Sequence, residues 1–251
     1  MLTQQRKSLL LERLSTDGRI VAKNLAKELG LSDDTIRRDL RELASEGRLQ
    51  RVHGGALPCA PAEANFVDRQ QIASESKQRV GLTAAGLVKS NGVVIIDGGT
   101  TALQLVRHLP LDHNCTVVTH SPSIAVALAE HTSVKVVMIG GVLFRHSMVN
   151  VGAATIDSML HIRADCYFMG VTGVSITEGL STGDLEEAHV KRALSDRAAE
   201  TVILASEEKL NVASPYVVMP LSNATGIVLD GKTAPSLVKK LKRAGLDVCV
   251  S

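Results

Sequence analysis

The sequence predicts an α/β protein in two parts: a winged helix-turn-helix over residues 1–57 and, after a linker at 58–74, a larger domain at 75–251 built on a mostly parallel sheet. Three observations carry this. Short helical patterns separated by glycine turns fill the N-terminal part, and a Pro/Ala segment without periodicity follows it. Beyond that segment, apolar runs of four to six residues alternate with helical stretches, as strands and their crossover helices do.

In the N-terminal part, Leu9, Leu10 and Leu14 fall at helical spacing between Gln4 and Ser15, and Asp17-Gly18 closes that helix. A second helical pattern starts at Ile20 and Val21, continues through Leu25, Ala26 and Leu29, and stops at Gly30. Ser32 is a favourable N-cap for a third helix starting at about Asp33, with Asp33 and Asp34 placed where carboxylates complement the helix dipole. Ile36, Leu40 and Leu43 form its apolar stripe; Arg38, Asp34, Arg41 and Ser45 centre the opposite face, with Arg37 and Thr35 on the flanks. Gly47 ends this helix, and the alternation from Arg48 to Val52 with the His53-Gly54-Gly55 turn reads as a two-stranded wing. The linker centres on Pro58 to Asn65, around Cys59 and Pro61.

The apolar runs beyond it are Val93–Ile96, Thr116–Thr119, Val134–Ile139, Cys166–Met169, Val202–Ala205, Gly226–Leu229 and Asp247–Val250. Helices are expected on both faces of the sheet they form.

Composition removes several classes of function. The chain has 251 residues, 45% hydrophobic and 22% charged, with a formal net charge of only +2, so any nucleic-acid signal must be local. It is local: residues 1–57 hold eleven Lys/Arg against eight Asp/Glu, and the other 194 residues carry a formal −1. Aromatics are 2% and Trp is absent, which disfavours stacking on single strands and favours groove binding. Cys59, Cys115, Cys166 and Cys249 are far apart, without a C-x-x-C pair or a secretory leader, and read as reduced thiols of a cytoplasmic protein. No metal site, cofactor or membrane span is expected; His108, His113, His131, His161 and His189 show no ligand spacing.

A capped amphipathic helix whose outer face carries Arg37, Arg38 and Arg41 fits insertion into a major groove. Arginine pairs bidentately with guanine, so Arg38, with Thr35, is the candidate for base edges, and Arg37, Arg41 and Arg51 for phosphates. Ser32 and His53 complete the candidate DNA-facing set. The competing reading is a solvated charged helix with i,i+4 pairs. The run Leu31-Ser32-Asp33-Asp34-Thr35-Ile36-Arg37-Arg38-Asp39-Leu40, then Gly47, then Arg51-Val52-His53-Gly54-Gly55-Ala56, resembles the signature of the DeoR family of bacterial sugar-metabolism regulators. The resemblance implies a repressor that binds double-stranded operator DNA and is released by a phosphorylated sugar or sugar derivative.

In open parallel sheets, ligands bind outside the carboxyl ends of the strands. The residues there are Asp97-Gly98-Gly99-Thr100-Thr101, then Thr119-His120-Ser121, Gly140-Gly141, Gly170-Val171-Thr172-Gly173, and Ser206-Glu207-Glu208-Lys209. Small residues let backbone N–H groups approach an anion, Thr100 or Thr101 is expected to cap a helix starting near Ala102, and Lys209 supplies charge. Asp97-Gly98-Gly99-Thr100-Thr101, Gly140-Gly141, the Gly152 region, Gly170 to Gly173, and Glu187-Ala188-x-x-Lys191 also follow, in order, the effector domain of the DeoR family. Read without that resemblance, Glu187 and Lys191 are a surface i,i+4 ion pair. The expected effector-binding set is therefore Asp97, Gly98, Gly99, Thr100, Thr101, Thr119, Ser121, Gly140, Gly141, Gly170, Gly173, Glu187, Lys191 and Lys209.

The effector domain also resembles ribose-5-phosphate isomerase, yet Gly170-Val171-Thr172-Gly173 stands where that enzyme reads D-G-A-D, so isomerase chemistry lacks its carboxylates. Two departures from the regulator family occur: T-N becomes Thr119-His120, and D-x-S-K becomes Ser206-Glu207-Glu208-Lys209. Carboxylates beside Lys209 are expected to disfavour a phosphate there. Arg145-His146 is a candidate to bend over an anion, and the Lys239 to Arg243 run reads as a solvated helix face. The sequence thus points to a non-enzymatic regulator that works as a homo-oligomer, dimer or tetramer, because operators are symmetric and one head binds weakly. The alternatives are an isomerase-like enzyme with a vestigial head and a regulator that no longer senses phosphosugars.

Overall fold

Helix α1 (Thr3–Asp17) begins the chain in the computed structural model, which describes residues 2–59 and 65–251. Strand β1 (Ile20–Val21), α2 (Ala22–Leu29) and α3 (Asp33–Ser45) follow, then β2 (Gln50–Val52) and β3 (Gly55–Leu57). Leu10, Leu14, Leu25, Ile36, Leu40 and Leu43 are buried together where the three helices meet. Ile20 and Val21 do not begin α2 as the helical spacing suggests: they are a strand paired with Ala56 and Gly55 of β3, so the wing has three strands. Two adjacent β-branched residues suit a strand better than a first helical turn. A side chain at Gly55 would put its Cβ 1.7 Å from the Ile20 carbonyl oxygen, so this pairing needs glycine.

The head also contains an ion pair absent from the sequence reading. Asp39 is wholly buried in α3 and takes a two-pronged hydrogen bond from Arg6 of α1, one prong Nη2 to Oδ1 at 3.0 Å and the other Nε to Oδ2. A helical wheel puts Asp39 about 60° from Ile36, at the edge of the apolar stripe, but names no partner for it, because Arg6 arrives from a helix 33 residues earlier.

The stretch expected to be a linker holds α4 (Phe66–Arg69) in its described part, whereas Pro61 lies outside the described residues. The sheet domain continues with α5 (Ser74–Ala85), β4 (Val93–Ile96), α6 (Thr100–His108), β5 (Cys115–Thr119), α7 (Pro122–Ala127) and β6 (Val134–Met138). A hairpin of β7 (Val142–Phe144) and β8 (Val149–Val151) leads to α8 (Ala153–Met159) and β9 (Ala164–Gly170). Next come β10 (Gly173–Ser175), β11 (Gly179–Thr182), α9 (Leu185–Ser195), β12 (Ala198–Ala205) and β13 (Tyr216–Met219), then β14 (Gly226–Leu229), α10 (Pro235–Arg243) and β15 (Asp247–Val250).

Each of the seven apolar runs is a strand of one sheet, in the order β15-β14-β12-β9-β4-β5-β6, and every neighbouring pair is parallel. Alternate side chains feed two cores: Val94, Val117, Phe168, Leu204 and Val228 face α5, α6 and α7, while Ile95, Val118, Tyr167, Ile203 and Ile227 face α8, α9 and α10. The antiparallel sheet β10-β11-β13 and the β7–β8 hairpin lie outside this plan and were not anticipated from the sequence. Their strands are three or four residues long, too short for alternation to show.

Strand order reverses between β4 and β9: the chain proceeds outward from β4 through β5 and β6, then returns to the other side of β4. A crevice opens at the carboxyl ends of the strands at such a point. Asp97 and Gly170, the first residue after β4 and the last of β9, meet there, with Gly170 N donating to Asp97 Oδ2 at 2.9 Å.

Candidate functional site

Asp97 is completely buried and organises the crevice. Besides Gly170 N, its carboxylate accepts from Gly98 N at 2.7 Å, His120 Nε2 at 2.8 Å, Tyr167 Oη at 2.9 Å and Lys191 Nζ at 2.6 Å. Burial alone would raise its pKa, but Lys191 and His120 outweigh that and hold the carboxyl well below the usual carboxylate range. Saturated by these donors, Asp97 does not line the cavity itself; it fixes the groups that do.

Lys191 is one of those groups, 2% exposed, with Glu187 Oε1 at 3.3 Å on its other side. Glu187 is buried too and accepts from Thr182 Oγ1 at 2.8 Å and Ser147 Oγ at 3.4 Å. This Glu–Lys pair on α9 is therefore not the surface ion pair that i,i+4 spacing alone suggests. Both side chains line the cavity.

The opposite wall is the start of α6. Gly99, at φ +107°, is its N-cap and Thr100 its first residue, so neither threonine caps the helix as expected. Thr101 Oγ1 instead accepts from Lys209 Nζ at 2.9 Å. Gly98, Gly99, Thr100 and Thr101 all line the cavity, and the positive end of a nine-residue helix points there. Burial, reinforced by the neighbouring Lys77, Arg69 and Lys191 and opposed by Glu208, brings the Lys209 ammonium down to about 8.

Two cations on this wall lie outside the expected set. Lys77 of α5 is 3% exposed; its Nζ donates to the carbonyls of Arg69 and Ile72 at 2.6 and 2.5 Å and lies 3.4 Å from Glu208 Oε1. Arg69 of α4 donates through Nη2 to the His146 carbonyl at 2.7 Å. Neither follows an apolar run, so a search confined to strand ends passes over them. A lysine or arginine among otherwise ordinary helical residues carries no local mark of its destination.

Several expected residues are elsewhere. Gly140 and Gly141 lie beyond β6, where Thr155 Oγ1 donates to the Gly140 carbonyl at 2.9 Å, and they do not line the cavity. Gly173 starts β10 packed 2.6 Å from Ser181 Oγ, measured from where its Cβ would stand, while Gly170, Val171 and Thr172 form the cavity floor. Thr119 and Ser121 are buried behind the cavity, with Thr119 Oγ1 accepting from Ser121 N and Ser121 Oγ donating to the Met148 carbonyl. Arg145 is exposed and away from the cavity; its neighbour Ser147 is the residue that reaches it.

The two carboxylates expected to oppose a phosphate separate. Glu207 points to solvent, while Glu208 lines the cavity against Lys77. Cationic Arg69, Lys77, Lys191 and Lys209 thus surround a cleft closed by a helix N-terminus. With Glu187 and Glu208 the only carboxylates among its lining residues, both facing lysines, such a surface suits an anion.

At the other end of the chain, Ser32 caps α3, accepting from Thr35 N at 3.2 Å and bonding the Thr35 hydroxyl at 2.9 Å. Arg37 is held by Asp33 at 2.7 Å, whereas Arg38 and Arg41 stand exposed beside Asp34 and Thr35 along one shallow depression. Arg51 and His53 are exposed on the wing.

Residues 6–61 match the DeoR-like helix-turn-helix domain, and residues 72–231 match the DeoR C terminal sensor domain. The chain belongs to the DeoR family. It is a sequence-specific DNA-binding transcriptional regulator. Among curated relatives, the HTH-type transcriptional regulator GolR of Listeria innocua is 31% identical over 249 residues, covering 98% of each chain. GlpR of Haloferax volcanii is 32% identical over 99% of this chain and 98% of its own. The glycerol-3-phosphate regulon repressor of Escherichia coli is 27% identical over 94% of each. Among solved structures, ribose 5-phosphate isomerase A of Methanocaldococcus jannaschii overlaps 55% of this chain and 54% of its own at 20% identity, with a TM-score of 0.41. No helix among the described residues of this DeoR-family regulator is long and apolar enough to cross a membrane, and no group of His, Cys, Asp and Glu among them could hold a metal.

Proposed function

We propose that this regulator represses a carbohydrate-metabolism operon and is released from its operator by a phosphorylated sugar bound at the β4/β9 crevice. The observation that carries the proposal is the cationic cleft at the N-terminus of α6, with Lys209 bonded to Thr101 and with Lys191 held by Asp97. The phosphate would lie against Gly98 to Thr101, Arg69 and Lys209, and the sugar along Gly170, Glu187 and Lys191. In the head, Arg38 and Thr35 would read base edges, while Ser32, Arg37, Arg41, Arg51 and His53 would position the duplex through phosphates. The pairing of Arg37 with Asp33 suits positioning rather than reading.

A route for release is supported by shared walls. Ser147, Thr172 and Glu187 line both the crevice and a second cleft, whose far side is Ala44, Gly47, Leu49 and Gln50 of the head. Arg19 of the head also meets the sheet domain, donating to Thr177 Oγ1 at 2.9 Å. A ligand that binds one arrangement of these walls more tightly shifts the head toward it. The heads would work in pairs, in a homodimer or homotetramer, since operators repeat with two-fold symmetry.

We read the chain as having no catalytic activity. Of the two carboxylates that line the crevice, Glu187 is engaged by Lys191, Thr182 and Ser147, and Glu208 is held through one oxygen by Ser206 and Lys77, while Gly170 to Gly173 bear none. The test is a titration of phosphosugars against the full-length chain, alone and on operator DNA. At 100 times its dissociation constant the effector adds ~2.7 kcal/mol of apparent stability and weakens operator binding. If no phosphosugar changes either quantity, the phosphosugar reading fails and a regulator that no longer senses phosphosugars takes its place. Sustained turnover of a pentose or hexose phosphate, unaffected by Arg38→Ala, would restore the enzyme alternative.

A further inference from the structure

Two side chains that line the cavity each carry an enclosed polar atom with no hydrogen-bond partner among the described residues: Nε of Arg69 and Oε2 of Glu208. Leaving a buried polar group unsatisfied costs free energy, so a bound molecule that pairs with both is favoured. They ask for opposite things. Arg69 Nε is a donor and suits a phosphate oxygen. Glu208 Oε2 is an acceptor, which a phosphate dianion repels.

The carboxylate of Glu208 is held in place by its other oxygen. Oε1 accepts from Ser206 Oγ at 2.8 Å and faces Lys77 Nζ at 3.4 Å. Lys77 is otherwise satisfied by the Arg69 and Ile72 carbonyls. The counter-ion role of Glu208 is therefore complete with Oε1, and Oε2 is left over.

We propose that the effector carries, besides its phosphate, a hydrogen-bond-donating substituent, hydroxyl or ammonium, that Glu208 accepts through Oε2, so that Glu208 selects which phosphosugar is sensed. This rests on the reading of the crevice as a phosphosugar site. A site built to accept from such a group rejects an analogue lacking it, because the acceptor is then buried unpaired.

Glu208→Gln is the informative variant. Both Ser206 Oγ and Lys77 present hydrogens to the inner position, so the amide oxygen takes that place and the NH2 group occupies the position of Oε2. An acceptor becomes a donor without a change of volume. The full-length chain is titrated with inorganic phosphate, with ribose 5-phosphate and glucose 6-phosphate, with their 2-deoxy counterparts, and with glucosamine 6-phosphate as the ammonium arm. In the wild type, one hydroxyl- or ammonium-bearing ligand is expected to bind about tenfold or more tighter than its deoxy counterpart. A preference for an ammonium collapses in Glu208→Gln, a preference for a hydroxyl weakens there because the amide can only donate to it and collapses in Glu208→Ala, and inorganic phosphate binds more tightly in both because a negative charge has left the site. Opposite changes of this kind distinguish selection from damage, and Glu208→Ala repeats the measurement should the glutamine variant fold poorly. An unchanged preference in both variants overturns the role of Glu208 and leaves the phosphosugar reading standing. A wild type that binds neither inorganic phosphate nor any phosphosugar overturns both.

Discussion

Lys209 Nζ donates to Thr101 Oγ1 at 2.9 Å, which ties the loop after β12 to the first turn of α6 across the mouth of the cavity. Burial puts this ammonium at about 8, so it changes charge in an accessible range. A phosphate monoester is already a dianion above its second pKa of about 6. From pH 7 to 9.5 only the protein side therefore varies. Phosphosugar affinity is expected to hold below pH 7.5 and fall as pH rises through 8, with proton uptake on binding. Lys209→Arg should flatten that profile. Calorimetry in buffers of different ionisation enthalpy measures the proton uptake; a pH-independent affinity in the wild type would remove Lys209 from the site.

Asp97→Asn tests the buried cluster. The amide offers one acceptor where the carboxylate serves Lys191, His120, Tyr167 and two backbone N–H groups, and it leaves the Lys191 ammonium without its nearer counter-charge. Breaking a buried pair in this way costs about 3–5 kcal/mol. Denaturant unfolding should register a loss of this order, and a loss under about 1 kcal/mol would show that the cluster tolerates a missing charge. Acid provides a second check. Because the folded carboxyl is held below its unfolded value, its contribution is complete above the unfolded pKa near 4 and is lost as pH falls toward the folded one.

For the head, Arg38→Ala should weaken operator binding by ~1–3 kcal/mol and relax base preference, whereas Arg51→Ala should weaken binding to every sequence alike. Affinities measured on the operator and on scrambled DNA at one salt concentration separate the two. Equal losses on both DNAs for both variants would refute the division of labour.

Gly55→Ala should disable the head alone. Its Cβ would meet the Ile20 carbonyl oxygen at 1.7 Å, so β1 must leave β3, at a cost of at least the ~1–3 kcal/mol usual for overpacking. Operator affinity should fall steeply while phosphosugar binding persists. Retention of wild-type operator affinity would mean that the β1–β3 pairing is dispensable.

The strands and helix α3 were legible in the sequence for a local reason. Ile36, Leu40 and Leu43 are spaced for a helix face, Ser32 supplies its cap, and Val93–Ile96 or Gly226–Leu229 are apolar runs bounded by turn residues; each signal lies within a few positions of what it describes. The loops at strand ends were legible through topology, and Gly98 to Thr101, Gly170, Glu187, Lys191 and Lys209 do converge on one cavity. Gly140, Gly141 and Gly173 share the same chemistry but sit where the sheet order carries them away from it.

By itself the sequence determined the two-part architecture, the family, the face of α3 that carries Arg38, and the strand ends at which a ligand is to be sought. Only the tertiary structure decided that Lys77 and Arg69 complete the cationic wall, that Asp97 supports the site from behind, and that Glu208 faces the cavity while Glu207 faces solvent. The physical reason is distance along the chain. Helix spacing and capping act between residues a few positions apart, whereas the contact of Lys191 with Asp97 spans 94 positions and that of Lys209 with Thr101 spans 108, so the strand order had to exist before either partner could be known.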